Sequence, residues 1–435
     1  MTCTNPVTGR RLGILSTGIL PLLALVPSLA AADDEISRKE FLEMKKELKE
    51  LRQEVKSLRA AKSPAANSAA STSEAPHGSL QRSLTELSET VDGLRQGESK
   101  FTVVGNAETT FTSARNASSN FSAAFEPMFL FRINDHLLFE GEIELELEGN
   151  ETTTNLEFAQ LDWMLNDNLT LVAGKFLNPM NNYVERYAPT WIRKLPDNPL
   201  GLYDGFLPES NVGVQLRGVY PIGSTHLNFQ AYVSNAPRLI TDDPEALGML
   251  DFDNFESQSD GKAYGGRIGF MPCSNFEVGY GAQYARVRGD GTRSTHSLLQ
   301  SVDLSTHLDA AKGRFTLLGQ YSWSNTGDFV YDEDSSLGVG PINFSNHRNG
   351  GYVQVSYRGK QWDNDWMNKL EFVVRGDMSN APNAAPGSFD ERRLTLGIDY
   401  WLAPATVVKA AYEIDQRNNG EPNADAILLQ ISTGF

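Results

Sequence analysis

The sequence predicts an all-β protein, a 16-stranded antiparallel transmembrane β-barrel preceded by an N-terminal α-helical coiled coil. Three observations predict this fold class. One segment has glutamate at every second position, sixteen segments of about ten residues alternate in polarity, and the connections between them are short and long in turn. Such patterns are typical of strands that have one face on lipid and the other on water.

The segment 139–148 reads F-E-G-E-I-E-L-E-L-E and alternates a carboxylate with an apolar residue or glycine. A period of two is the period of a β-strand, whose successive side chains point to opposite faces. One face of this strand is therefore acidic and the other is apolar. Two environments fit it: a soluble sheet with an apolar core, or a membrane barrel with an acidic lumen. The carboxylates on the acidic face are Glu140, Glu142, Glu144, Glu146 and Glu148.

The composition limits the classes of protein that fit. The chain has 435 residues and a formal net charge of -17, which argues against nucleic acid as a partner. It contains no zinc-type spacing and no G-x-S-x-G motif, and its six histidines are scattered, so no enzyme activity, metal site or cofactor is predicted. Cys3 lies in a segment expected to be removed, and the remaining Cys273 cannot form an internal disulfide.

Residues 1–32 have the pattern of a secretory signal peptide. Arg10 and Arg11 provide the positive charge, 12–25 is apolar, and small residues precede the predicted cleavage. No later apolar run has the length needed to span a membrane as a helix, so the mature chain is predicted to have no spanning helix.

Residues 33–60 carry a heptad repeat of apolar residues. Acidic residues at its g positions match basic residues at its e positions, which favours parallel self-association over a single amphipathic helix. Residues 61–79 are rich in Ala, Ser and Pro and predict a flexible linker. Residues 80–97 are predicted to form a short heptad helix that either continues the coiled coil or plugs the barrel. The apolar positions of the first repeat are Phe41, Met44, Leu48, Leu51, Val55 and Leu58.

Residues 98–435 have a different character, with alternating segments separated by clusters of Gly, Asn, Asp and Pro. A clear alternation is Phe276, Val278 and Tyr280. The number of segments is even, as expected for a single-chain barrel. The predicted strands are 101–112, 119–133, 136–148, 153–165, 168–176, 211–220, 225–234, 263–271, 275–287, 297–309, 314–324, 349–359, 369–378, 391–401, 406–416 and 425–435.

The connections between these strands follow a regular order. Those after even-numbered strands are mostly short, such as 166–167, and those after odd-numbered strands are mostly long, such as 177–210 and 235–262. The connection 360–368 is longer than this order predicts. A membrane barrel with tight periplasmic turns and long external loops has this asymmetry, whereas a soluble sandwich has no physical reason for it.

Charged residues stand between the apolar ones in most predicted strands, for example Arg267, Glu277 and Asp303. An unpaired ion in a dry interior costs several kcal/mol, so this face is expected to be wet. Sixteen strands also enclose an interior too wide for side chains to fill. We therefore favour the membrane barrel over the soluble sheet.

The last predicted strand reads A-I-L-L-Q-I-S-T-G-F and ends on Phe435. The chain resembles Gram-negative outer-membrane porins over residues 101–435. The features that carry the resemblance are this last strand, the signal peptide and the number of strands. With its coiled coil and the strings V-A-G-K-F-L-N-P at 172–179 and G-V-Q-L-R-G at 213–218, it most resembles the phosphate-selective porin O and P family. The resemblance implies an outer-membrane homotrimer with its coiled coil in the periplasm, and a terminal Phe435 that the outer-membrane insertion machinery reads.

The resemblance also implies that the loop after the fifth strand folds into the barrel and narrows it. The corresponding segment is 177–210, the longest connection in the chain, and a loop of that length in a compact fold usually has a function. Its charged residues are the predicted constriction: Glu185, Arg186, Arg193, Lys194, Asp197 and Asp204. The predicted lumen wall contains Glu140, Glu142, Glu144, Glu146, Glu148, Arg217, Arg267 and Arg375.

The predicted function is passive diffusion of ions and small hydrophilic solutes through a water-filled channel. Arg186, Arg193 and Lys194 are candidates for the anion patch that the resemblance implies, but the glutamate face departs from the strongly basic lumen of phosphate-selective members. We expect a weak cation preference. The alternatives are an anion- or phosphate-selective porin, and a structural barrel that anchors a periplasmic coiled coil. The acidic external connections are expected to be solvated loops rather than calcium sites.

Overall fold

The structure is a computed structural model, and it describes residues 100–435 apart from 150, 203–205, 253–260, 290–292, 333, 334, 336, 383 and 419. The constriction candidate Asp204 and the side chain of Glu148 are outside this description. Also outside the described residues are the predicted signal peptide at 1–32, coiled coil at 33–60, linker at 61–79 and short helix at 80–97.

Sixteen strands form a closed antiparallel barrel, which confirms the predicted barrel and its strand number. Each strand pairs with the next along the chain, and the barrel closes where β1 pairs with β16, with Thr110 opposite Gln430. The strands are β1 Phe101–Ala114, β2 Asn120–Asn134, β3 Leu137–Glu148, β4 Glu151–Asn166, β5 Leu169–Leu177, β6 Ser210–Ile222, β7 Thr225–Asn235, β8 Lys262–Cys273, β9 Phe276–Val287, β10 Thr295–Ala310, β11 Gly313–Thr326, β12 Asn346–Gly359, β13 Leu370–Asn380, β14 Glu391–Ala403, β15 Thr406–Arg417 and β16 Ala426–Gly434.

Successive residues of a strand have opposite environments. On β9, Val278 and Tyr280 are 41% and 46% exposed, whereas Glu277 and Gln283 on the other face are 6% and 0% exposed. Apolar side chains therefore point out of the barrel and polar side chains point into it, the reverse of a soluble protein. Such an arrangement is stable where the outer surface meets hydrocarbon.

The two ends of the barrel differ in their connections. Two-residue turns such as 135–136, 167–168 and 311–312 close one end. The connection after β12 is longer because it contains the short helix Asp365–Asn368, which explains why 360–368 departs from the predicted order. At the other end the connections are mostly longer. Among the described residues, no helix has the length and apolar character needed to cross a membrane.

The loop 178–209, between β5 and β6, turns into the barrel. It contains the helix Asn182–Tyr187, which the sequence pattern did not predict. Its apolar side chains and those of the wall form the largest buried cluster of the described chain, which lies inside the barrel along β10 to β12. Members of this cluster from the loop and the wall are Met180, Tyr183, Leu202, Phe206, Leu207, Leu299, Leu318 and Tyr352.

Two short strand pairs order the external connections and extend this cluster. Arg238–Leu239 pairs with Leu250–Asp251, and Val330–Tyr331 pairs with Ile342–Asn343. Neither pair was predicted, because two-residue strands leave no periodic signal in a sequence.

The C-terminal residue lies beside β1. The Phe435 N–H donates to the Gly105 carbonyl at 3.0 Å, and the Gly105 N–H donates to the Phe435 carbonyl at 3.1 Å. The exposed ring of Phe435 stacks on Phe125 with 5.6 Å between ring centroids. The predicted insertion signal is therefore on the apolar outer surface of the barrel.

Candidate functional site

Near its start, the inward loop is fixed to the wall at Met180. The Met180 carbonyl accepts hydrogen bonds from Gln320 Nε2 at 2.9 Å and from Ser301 Oγ at 3.0 Å. The Tyr183 N–H donates to Gln320 Oε1 at 3.2 Å. Buried backbone groups need such partners, so the polar residues of β10 and β11 determine where this end of the loop lies.

The far end of the loop is fixed by cationic side chains of β13 and β15. Arg375 donates to the carbonyls of Asp197 at 2.8 Å and Asn198 at 3.1 Å. The Lys409 ammonium donates to the Thr190 carbonyl. The loop thus follows the inner wall from β10 to β15, and its side chains also reach Glu277 of β9 and Glu108 of β1.

Every basic side chain of the loop forms an ion pair with a wall carboxylate, and Asp197 pairs with Arg393 of β14. These pairs fix the loop, and their opposite charges cancel, so they contribute little net field to the lumen. The three basic pairs are Arg186 with Glu277 at 2.7 Å, Arg193 with Glu108 at 3.0 Å, and Lys194 with Glu371 at 3.2 Å.

A cavity of about 550 Å³ lies between the loop and the wall formed by β1 to β6, and we call it the passage. Two basic residues line it, Arg193 and Arg217, and both form ion pairs, with Glu108 and Asp162. Acidic residues therefore outnumber basic residues in its lining by ten to two. Its acidic lining residues are Glu108, Glu126, Glu140, Glu142, Glu144, Glu146, Glu157, Glu185, Asp197 and Glu209.

A β-bulge adds a carboxylate that strict alternation would have pointed elsewhere. The pairing of β3 with β4 shifts by one residue after Glu142, which faces Phe158, so that Glu157 is the extra residue of β4. Glu157 lines the passage, and its side chain is within hydrogen-bonding reach of Glu144. Bulges re-aim side chains, and this one concentrates negative charge beside the glutamates of β3.

Comparison with known proteins identifies the fold. No protein-family profile matches this sequence, and no characterised protein matches it by sequence. OmpF of Salmonella typhi, in complex with daunomycin, matches with a TM-score of 0.51 and 14% identity, over 77% of this chain and 97% of that one. OprB of Pseudomonas putida matches with a TM-score of 0.52 and 11% identity, over 80% and 96%. An anion-selective porin from Comamonas acidovorans matches with a TM-score of 0.50 and 11% identity, over 77% and 99%. The chain has the porin fold.

Two further cavities of this porin barrel lie between the loop and the short turns. One, of about 460 Å³, has both charge signs in its lining: Asp167, Arg186, Arg217 and Glu277. The other, of about 320 Å³, lies against β11 to β13 and is mostly basic, with Lys194, Arg193, Arg314, Arg358, Lys360 and the single acid Glu371.

The basic cavity is less cationic than this lining implies. Arg314 and Lys360 both pair with Asp309, at 2.7 Å and 3.5 Å. The Arg358 guanidinium lies 4.1 Å from the centroid of the Trp401 ring, a cation–π contact. Part of the positive charge is therefore engaged within the wall.

The arginines predicted for the lumen wall have different surroundings. Arg217 lines the passage, but Arg267 and Arg375 are 1% and 0% exposed. Arg267 pairs with Asp303 at 2.6 Å and with Glu277 at 2.9 Å. The expectation of a wet polar face does not hold for this part of the wall, because ion pairs at Arg267 and loop carbonyls at Arg375 replace water.

Several acidic residues of the passage were absent from the predicted site, among them Glu108, Glu126 and Glu157. A signal for Glu126 exists in the sequence, because it alternates with Phe121, Phe125 and other aromatic residues that point outward. No comparable signal exists for Glu157, because the bulge that turns it inward depends on the pairing of two strands.

The connection 236–261 between β7 and β8 is rich in acidic residues, and some of their charge is neutralised by an arginine. Arg238 contacts Asp242 at 3.0 Å and Asp251 at 3.4 Å. Hydrogen bonds from Arg238 lower the pKa of Asp242, so this carboxyl stays ionised at neutral pH. Among the described residues, no group of three or more acidic, His or Cys side chains is arranged to hold a metal ion.

Proposed function

We propose that the protein is an outer-membrane porin of a Gram-negative-type bacterium, a water-filled channel for passive diffusion of ions and small hydrophilic solutes, and that it prefers cations. The loop 177–210 is its constriction. The observation that carries this proposal is the passage, where ten acidic residues meet two arginines that are both in ion pairs. Fixed negative charge in a narrow aqueous path attracts cations and repels anions.

The anion- or phosphate-selective alternative has weaker support. It requires basic side chains that are free to meet a passing anion, but Arg186, Arg193 and Lys194 each have a carboxylate partner. The mostly basic cavity near the short turns is the one observation in its favour. The structural alternative depends on the coiled coil at 33–60, which lies outside the described residues.

The assembly we propose is a homotrimer, inserted by the outer-membrane machinery through Phe435. In such barrels the short turns face the periplasm and the long connections face outward. The passage would then be entered from the outside, and the basic cavity would open on the periplasmic side.

The decisive experiment is conductance of the purified protein in planar lipid bilayers, with the reversal potential measured in a KCl gradient. We expect ion conduction with a reversal potential of the sign that K⁺ permeation produces. Measured at pH 9, where carboxylic acids are ionised, replacement of Glu126, Glu142 and Glu157 with Gln should lower the K⁺/Cl⁻ permeability ratio at least severalfold, because three fixed charges then leave the passage.

A matched control removes three acids from exposed positions outside the barrel lumen: Asp328→Asn, Asp363→Asn and Glu421→Gln. This variant should keep the permeability ratio of the unaltered protein. A protein that forms no pore, or one that passes Cl⁻ in preference to K⁺, would refute the proposal.

A further inference from the structure

The glutamates of β3 form a row with a fixed period. Residues two apart in a strand share a face, and a rise of about 3.3 Å per residue places neighbouring carboxylates about 7 Å apart. Glu140, Glu142, Glu144 and Glu146 all line the passage, so the row extends for about 20 Å. A molecule with two separated cationic groups can use this period, whereas a single inorganic ion cannot.

Within this row, Glu142 lacks a partner. Its side chain is 8% exposed and lines the passage, and no cation or hydrogen-bond donor contacts it in the described part of the chain. Its charged neighbours are Glu126, Glu144 and Glu157. A buried carboxylate among other carboxylates is unfavourable, so it either takes up a proton or is stabilised by a cation bound between them.

The loop side of the passage has a different chemistry. It presents four apolar residues among polar and charged ones. The apolar residues are Val184, Ala188, Pro189 and Pro196, and the others include Glu185, Thr190, Arg193, Asp197, Asn198 and Glu209. A ligand with cationic ends and a methylene chain between them matches both surfaces, since its charges meet glutamate and its methylenes meet the loop.

We propose that the passage binds linear alkyl diamines and polyamines, with about four methylenes between ammonium groups, as permeating solutes. This inference rests on the proposed channel function. Two ammonium groups joined by four methylenes are about 6 Å apart when extended, from five bonds of about 1.5 Å, which is close to the period of the row. Neighbouring glutamates accept hydrogen bonds from the two ammonium groups, and the chain between them contacts Val184 and Pro189.

The test uses the purified full chain in planar bilayers at constant KCl concentration. It measures the concentration of each solute that halves the K⁺ current. The solutes are 1,4-diaminobutane, butylamine with the same chain and one charge, and Mg²⁺ with the same charge and no chain. We expect the half-blocking concentration of the diamine to be about tenfold lower than that of either comparison solute, because only the diamine makes both contacts.

The double variant Glu142→Gln, Glu144→Gln should raise the half-blocking concentration of the diamine to near that of butylamine. The matched control Asp363→Asn, Glu421→Gln removes the same charge from exposed positions and should change nothing. Heat-modifiable mobility of each folded barrel on gels verifies that the variants are intact.

Two results would overturn the inference while leaving a cation-preferring pore in place. One is a diamine that blocks no better than Mg²⁺, which would mean that charge alone is recognised. The other is an equal rise of the half-blocking concentration in the double variant and in its control, which would mean that the glutamate row has no specific role in binding. Absence of any conductance in the unaltered protein would instead refute the channel function itself.

Discussion

Two regions of the inner wall carry charged side chains in opposite states. On β2 to β4, Glu142 has only other glutamates as charged neighbours, and it lines an aqueous cavity. In the other region, Arg267 contacts Asp303 and Glu277, and each of these three charges has a partner of opposite sign. The residue types are similar in both regions, and the difference is whether a counter-charge lies within reach. Paired charges hold structure in place, whereas under the proposed function unpaired charges create the field that a permeating ion meets.

The position of the loop 178–209 determines which part of the inner wall has paired charges. The loop lies against β10 to β15, where its carbonyls and side chains bond to the wall, and a cavity separates it from most of β1 to β6. Because all three of its basic residues are paired with the wall, it adds almost no positive charge to the open side. The position of one loop thus converts an inner surface of mixed charge into an acidic passage.

The largest expected effect comes from breaking the covered region at Arg375. Arg375→Met removes two hydrogen bonds to the loop and leaves the buried Asp377 without its 2.9 Å partner. Removing one member of a buried ion pair costs about 3–5 kcal/mol. We expect lower thermal stability of the folded barrel, larger single-channel conductance, and trypsin cleavage after Arg193 or Lys194 in the intact barrel.

The matched control for this variant is Arg417→Met. Arg417 also pairs with two carboxylates, Glu391 at 3.0 Å and Asp415 at 3.3 Å, but its side chain is 27% exposed and bonds to none of the described residues of the loop. Partly exposed pairs contribute about 1 kcal/mol or less, so conductance and protease resistance should be unchanged. If both variants behave alike, the covered wall does not hold the loop.

A smaller effect is expected from removing one acid in each region. Glu126→Gln takes a charge from the passage and relieves repulsion among glutamates, so the K⁺/Cl⁻ permeability ratio should fall while stability is kept. Glu277→Gln takes a partner from Arg186 and Arg267, so stability should fall by about 1.5–3 kcal/mol. Because Arg186 keeps Glu185 at 3.8 Å and Arg267 keeps Asp303 at 2.6 Å, the permeability ratio should fall less than in Glu126→Gln. Reversal potentials and thermal unfolding of the two variants measure the difference.

Equal loss of selectivity in the two variants would contradict the distinction between paired and unpaired acids. Glu421→Gln, at an exposed external position, is the reference for a charge removed without either consequence.

The barrel itself could be predicted because its physics is local. Alternation along a strand such as Phe276–Val287 shows which residues face outward and which face inward. The length of a connection shows at which end of the barrel it lies. The helix Asp365–Asn368 and the two-residue strand pairs could not be predicted, because their stabilisation comes from caps and packing rather than from a period.

The candidate site could be predicted only in part. The glutamates of β3 and the charged residues of the loop are visible in the sequence, and the structure places the described ones inside the barrel. Which of them are cancelled by a partner depends on contacts between residues far apart in the chain, such as Lys194 with Glu371. The inward position of Glu157 depends on a bulge, and the burial of Arg267 depends on its pairs with Asp303 and Glu277.

The smallest effect, and the one that needs no mutation, is the response to salt. The Debye length falls from about 10 Å at 0.1 M to about 3 Å at 1 M, so the field of unpaired carboxylates in an aqueous passage should be largely screened at high salt. Buried pairs such as Arg267 with Asp303 are screened much less, because water and ions do not reach them. The K⁺/Cl⁻ permeability ratio should therefore approach unity at 1 M KCl, while the loop stays resistant to trypsin. Cleavage after Arg193 or Lys194 in high salt would mean that the loop pairs are as accessible to ions as the passage. The contrast between the two walls would then lie in their composition and not in their burial.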